Sequence, residues 1–374
     1  MMKESTEIKV LFELIRAGLW EKECRLLEYL PINFSELKRL AEEQSIVGLV
    51  AAGLEHVSDI KVPKQDVLQF IGQTLQLEQR NQAMNYFIGV MVDNMRKEGI
   101  YTLLVKGQGI AQCYKRPQWR SCGDVDFFLS DENYEKAKKY LIPLASDVDY
   151  EGDYIKHQGM TIDPWVVELH GNFRCGLSSK IDNVLDEIKS DIFFGGDVRS
   201  WMNGDTQVFL PGVNVDILYV FTHILNHFYK GGIGLRQICD WCRLLWTYKD
   251  EIDYILLKKR LKRMGLMTEW KAFGTFIVEY LGMPSDAMPL YSPEDKWKRK
   301  AKRICSFVIE VGNFGHNRDN SYYSKYPYVI RKTISLCRRL SDLSRHTTIF
   351  PFDSLRFFPS MMFHGLRSAV KKEG

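Results

Sequence analysis

The chain has 374 residues, is 45% hydrophobic and 26% charged, and carries a formal net charge of +4. A chain of this length without a low-complexity tract can bury more than one packed unit, which excludes a disordered or fibrous protein. No apolar run reaches the roughly 20 residues that cross a bilayer, so no transmembrane segment is expected.

Eight cysteines are scattered along the chain without a framework spacing, which fits free thiols in a reducing compartment. The first 20 residues mix acids into an apolar stretch, so they read as an amphipathic helix rather than a signal peptide. A cytoplasmic protein is the expectation.

Residues 1–98 form an N-terminal helical region, with helices expected over Ile8–Leu19, Phe34–Gln44, Val47–Leu54 and Gln65–Lys97. Pro63 stands before the last of these, where proline is tolerated, and Gly99 ends it. Residues 99–212 then alternate strand and helix. The apolar run Ile100–Val105 reads as a strand that stops at Lys106-Gly107-Gln108-Gly109, where glycines permit tight turning and close backbone approach to a ligand. A short helix can follow over Ile110–Tyr114, and a loop carrying Arg116, Pro117, Trp119 and Arg120 returns the chain to Asp124-Val125-Asp126-Phe127-Phe128-Leu129.

That run is the most informative part of the sequence. Side chains two apart on a strand share a face, so Asp124 and Asp126 converge. Adjacent carboxylates repel, and a hard cation such as Mg²⁺ between them, shared with substrate phosphates, stabilises the pair. Farther along, a helix is expected over Asp131–Tyr140, and short strands over Tyr150–His157, Met160–Asp163, Val166–His170 and Gln207–Leu210, with Pro211-Gly212 closing the region.

Residues 213–290 return to helices: Val215–Tyr229, Leu235–Tyr248, Asp250–Met264 and Thr268–Leu281. His223 and His227, four apart, share one face and could bind a metal together, though structural histidines lining an interdomain cleft are the favoured reading. The CxxC at Cys239–Cys242 lies in a helical pattern without a second CxxC and reads as structural. The remainder, residues 291–374, is basic and rich in aromatics. From Lys296 onward it holds 17 basic and 5 acidic residues, net +12, which leaves −8 on the rest of the chain. Its apolar stretches, Ile304–Val311 and Val329–Leu340, need burial, so docking on the acidic body is expected and a nucleic-acid partner is the less favoured reading.

The order Leu104-Val105-Lys106-Gly107, Arg120, Asp124-Val125-Asp126-Phe127, Glu168-Leu169-His170, His223, His227 and Asp240 resembles the DNA polymerase β-like nucleotidyltransferase superfamily, in particular its bacterial branch of uncharacterised nucleotidyltransferases. The resemblance covers roughly Leu11 to Pro289. It implies an α+β fold, a small mixed sheet with helices flanked by N- and C-terminal helical regions. It also implies metal-dependent transfer of a nucleoside monophosphate from an NTP to an acceptor hydroxyl whose identity stays open. On that reading Asp124, Asp126 and a third carboxylate hold Mg²⁺ or Mn²⁺. Glu168 is preferred for the third, with Asp163 as the alternative. Lys106, the backbone of Gly107 and Gln108, and Arg120 contact the nucleotide; His170, His223, His227 and Asp240 line the cleft. The superfamily's usual Gly-Ser turn is replaced here by Lys106-Gly107-Gln108, so Lys106 either touches phosphate or pairs with a site carboxylate. Two other readings share the scaffold, an inactive nucleotide-binding or partner protein and NTP-dependent phosphoryl transfer. Removing Asp126 is expected to relieve repulsion and leave apo stability unchanged or higher.

Overall fold

The computed structural model describes residues 5–149, 151, 155–313 and 327–360. Its N-terminal helices are α1 (Thr6–Trp20), α2 (Phe34–Glu43), α3 (Val47–Leu54) and the long α4 (Lys64–Lys97). Side-chain caps set two of their starts: Ser5 accepts from the Ile8 N–H and Asn33 from the Glu36 N–H. Gly48 on α3 meets the loop ahead of the aspartate strand so closely that a Cβ there would lie 2.0 Å from the Trp119 carbonyl oxygen. That contact seats the loop carrying Arg120.

The strands are β1 (Leu103–Val105), β2 (Asp124–Phe128), β3 (Asp147–Val148), β4 (His157–Ile162), β5 (Trp165–His170), β6 (Val198–Asn203) and β7 (Thr206–Pro211). They form one mixed seven-stranded sheet in the order β3-β4-β5-β2-β1-β7-β6. β2 pairs parallel with β5 and antiparallel with β1, and β4 pairs antiparallel with β5. Alternation then divides the side chains between two faces. Val125, Phe127, Val167 and Leu169 turn to one face and share a buried cluster with Met84, Ile88 and Met95 of α4 and with Tyr134 and Leu141 of α6 (Asp131–Leu141). Leu103, Val105 and Phe128 turn to the other face and join a second, larger cluster. There Phe128 stacks on Phe173 at 3.7 Å, and Phe173 lies 4.2 Å from Tyr219 of α8 (Val213–Lys230), measured between ring centroids. The face that carries the aspartates therefore looks toward α8.

The α+β class is the one expected, and several boundaries differ. The short helix α5 spans Gly107–Ala111 and starts directly after Lys106, three residues before the expected place. One strand, β4, replaces the two expected over Tyr150–His157 and Met160–Asp163; Tyr150 and residues 152–154 lie outside the described residues. A helix, α7 (Ser179–Gly195), and strand β6 occupy a stretch for which the sequence pattern yielded no element. The helices α9 (Leu235–Thr247), α10 (Tyr254–Met264) and α11 (Met267–Glu279) fall close to expectation.

Helix α12 (Asp295–Val311) belongs to the larger core through Ile304, Val308 and Val311. After α13 (Tyr328–Ile349), the buried Phe350 and Phe357 seat residues 350–357 on Phe228, Tyr229 and Phe273. Residues 350–357 of the basic segment are thus anchored by aromatic burial. Of the stretch Val329–Leu340, where burial was expected, Ile330 and Leu340 are exposed, and the side chains of Val329 and Leu336 lie outside the described residues. Among the described residues no helix is long and apolar enough to cross a membrane.

Candidate active site

The register of the sheet builds the site. In the parallel β2–β5 pair Asp126 stands opposite Glu168, and Asp124 lies two residues earlier on the same face. Oxygens of the three carboxylates fall within 4.8 Å of one another. Asp163 is exposed in the turn between β4 and β5 and takes no part in this cluster.

β1 ends one residue before the turn, and Lys106 takes a positive φ of 56° that side chains other than glycine rarely adopt. This conformation sends its ammonium to Asp126 Oδ1 at 2.7 Å. Of the two roles the sequence left open for Lys106, the structure displays the carboxylate pairing. Gly107 continues the left-handed turn at φ 37°, and a Cβ there would meet Cys122 Sγ at 3.2 Å. The Gln108 side chain points away from the cleft, donating to Asn81 Oδ1 at 2.8 Å, so only its backbone can serve a ligand.

Two histidines complete the acidic side. His170 Nε2 lies 2.7 Å from Asp126 Oδ1 and 3.5 Å from Glu168 Oε2. His157, across the β4–β5 ladder, places its Nε2 3.0 Å from the same Glu168 oxygen. Its contribution had no sequence signal, because nothing in β4 alone says which residue of β5 it will face.

The electrostatics follow from these contacts. Asp124 is pushed above the usual carboxylate range, first by the neighbouring Asp126 charge and then by burial. Burial also favours the neutral acid at Glu168, but hydrogen bonds to His157 and His170 outweigh it and hold the group far below its ordinary value. The same competition at His170 ends the other way for a base: burial disfavours the cation, yet its bonds to Asp126 and Glu168 raise its pKa. Lys106 is likewise buried but kept firmly charged by Asp126. Asp126 is 2% exposed and bonds both Lys106 and His170, so its removal takes a close partner from each, which argues against the expectation that apo stability holds or rises.

Opposite the carboxylates, α8 and α9 close a cavity of about 170 Å³ lined by Lys106, Gly107, Arg120, Arg236, His223 and His227, with Asp240 on its wall. Arg120 meets Asp240 along one edge of its guanidinium: Nε donates to Oδ1 at 2.9 Å and Nη2 to Oδ2 at 2.6 Å. Arg236, which the sequence reading missed, lines the same cavity and donates through Nη1 to the Ser121 carbonyl at 2.9 Å. The only sequence signal for it was a cation two residues after Gly234 at the start of α9. His223 and His227 face each other with Nε2 atoms 3.0 Å apart. Burial, then Lys106, drives both toward the neutral form, His227 to about 4. Among the described residues this pair belongs to neither cluster with metal-binding spacing. Cys239 and Cys242 are buried, unbridged core residues.

The profile of the uncharacterised nucleotidyltransferase family matches residues 31–282, a span that holds the whole sheet and both walls of the cleft. The chain belongs to that family. No curated protein and no solved structure matches it. In this family member, the sheet supplies the carboxylates of the cleft, and Lys106, Arg120 and Arg236 supply its positive charge.

Proposed function

We propose that this chain transfers a nucleoside monophosphate from an NTP to an acceptor hydroxyl, with Asp124, Asp126 and Glu168 holding Mg²⁺ or Mn²⁺. The observation that carries the proposal is the convergence of three carboxylates within 4.8 Å on one sheet face, under a cleft walled by Lys106 and Arg236. The donor set fits a hard divalent ion: it offers oxygen only, and the raised pKa of Asp124 reflects a repulsion that a cation would relieve. When bound, such an ion supplies Lewis acidity at the phosphoryl group and activation of the attacking oxygen.

The chain's own groups do the rest. The acceptor hydroxyl gives its proton to solvent as its oxygen bonds to the α-phosphorus, the α–β bridge breaks and pyrophosphate leaves. Lys106 and Arg236 place positive charge where the leaving phosphates gain negative charge, and the Gly107 and Gln108 backbone can approach them closely. Arg120 acts through Asp240 and the cleft wall, since its guanidinium already donates to Asp240 and to the Ser121 carbonyl. Glu168 is suited to hold a cation and poorly suited to take a proton, because its pKa lies far from the operating pH.

The test uses α- and γ-labelled ATP, CTP, GTP and UTP with purified protein, Mg²⁺ or Mn²⁺, and a pool of metabolites and RNA. Transfer of the α-label, lost in Asp124→Asn, supports the proposal. Transfer of the γ-label alone makes the protein a phosphoryl transferase, and nucleotide binding without transfer makes it a binding protein; either overturns the proposal.

A further inference from the structure

We propose that His157, Glu168 and His170 form a second metal site, one that selects a borderline transition ion such as Zn²⁺. It lies beside the all-oxygen set and shares Glu168 with it. The three ligand atoms lie within 4.8 Å of one another. Both imidazoles turn Nε2 to one oxygen, Glu168 Oε2, at 3.0 Å from His157 and 3.5 Å from His170.

The ladder imposes this aim. His157 and His170 are directly paired residues of antiparallel strands, with ring centroids 4.9 Å apart, and Glu168 is two residues from His170 on the same face. Two imidazole nitrogens and one carboxylate oxygen are a donor set of open zinc sites, where three protein ligands leave a position for water or substrate. Imidazole nitrogen also separates this set from its neighbour: it favours zinc and its kin, whereas carboxylate oxygen suits Mg²⁺. Asp126 Oδ1 lies 2.7 Å from the same His170 Nε2, so this nitrogen exchanges that hydrogen bond for the ion when the site fills. The His157 and Glu168 side chains remain 37% and 25% exposed, so an ion can reach the site from solvent. The site does not depend on nucleotidyl transfer, and an inactive family member with these residues would hold the same ion.

Zn²⁺ binding to the chelator-treated full chain, followed by calorimetry in excess Mg²⁺, tests the proposal. The Asp124→Asn variant removes a ligand from the oxygen set alone. It should keep Zn²⁺ affinity within about 3-fold while weakening Mg²⁺-dependent nucleotide binding. His157→Ala and His157→Gln should each weaken Zn²⁺ about 100-fold or more, since even outer partners of such ligands are worth 10–100-fold. Replacing Zn²⁺ by Co²⁺ in the parent protein should yield the intense visible bands of low-coordinate nitrogen ligation. This measurement serves even if the His157 variants fold poorly. Zn²⁺ affinity unchanged in the His157 variants, or a parent Co²⁺ spectrum of the weak, six-oxygen type, would overturn the site. In that case the two histidines are counter-ions to the carboxylates and nothing more.

Discussion

Replacing Asp240 by alanine should destabilise the protein by about 3–5 kcal/mol, because it leaves the Arg120 guanidinium buried and charged without its partner. The side chains of this pair are 5% and 3% exposed, and Asp240 also accepts from the Tyr114 hydroxyl at 2.9 Å. One acidic residue thus satisfies two groups from the loop ahead of β2. Only the bond from Arg120 Nη1 to the Ser121 carbonyl, 3.0 Å, would remain to the guanidinium. With an unfolding entropy of about 2.1 cal/mol/K per residue, a 374-residue chain has of order 0.8 kcal/mol/K, so the loss corresponds to a fall of about 4–6 °C in Tm. Scanning calorimetry and urea denaturation would measure it. The control is Arg120→Met with Asp240→Leu, which removes both charges and should recover most of the loss. A loss below about 1 kcal/mol, or a double variant no more stable than the single one, would refute the view that the pair is a mutually dependent buried bridge.

Asp124→Asn and Asp126→Ala should part company although the residues are two apart. The first removes a repelled carboxylate and should leave apo stability unchanged or raise it by up to about 1 kcal/mol, while the second takes the closest anionic partner from Lys106 and His170 and should cost about 2–4 kcal/mol. Equal losses in urea denaturation would contradict the contact assignment. His227 has a folded pKa of about 4, below its unfolded value, so the unfolded chain binds the extra proton between about pH 6.5 and 4. Stability should fall as pH drops through that window, by at most about 3 kcal/mol for this group, and His227→Gln should flatten the slope. An unaltered slope in the variant would count against a neutral buried imidazole. Generic RNA should bind weakly to the full chain at low and moderate salt, because the segment after residue 295 is anchored on the body. Tight binding that weakens steeply with salt, and is lost when Lys298, Arg299 and Lys302 become glutamine, would reverse that reading.

Local chemistry made much of this protein legible in its sequence. The α+β class follows from periodicity: a 3.6-residue pattern in α1–α4 and α8–α11, apolar runs punctuated by glycine and proline between them. The shared face of Asp124 and Asp126 follows from the strand period alone. Stretches whose patterns compete were lost, as with α7, and with β6, where exposure alternates along an edge strand without a strong apolar side. Pairings across the chain were beyond the residue pattern itself, and the preference for Glu168 came through the family resemblance. Which carboxylate stands opposite Asp126 depends on the β2–β5 register, the meeting of His157 with Glu168 depends on the β4–β5 register, and Arg120 finds Asp240 from 120 residues away. Lys106 had two acceptable partners by charge, phosphate or carboxylate. The fold brings its ammonium to 2.7 Å from Asp126, from a residue at positive φ. Residue type and spacing determine which groups are available and which face they share. Which of them meet is settled by register and packing, because those depend on the burial of apolar side chains far from the groups they bring together.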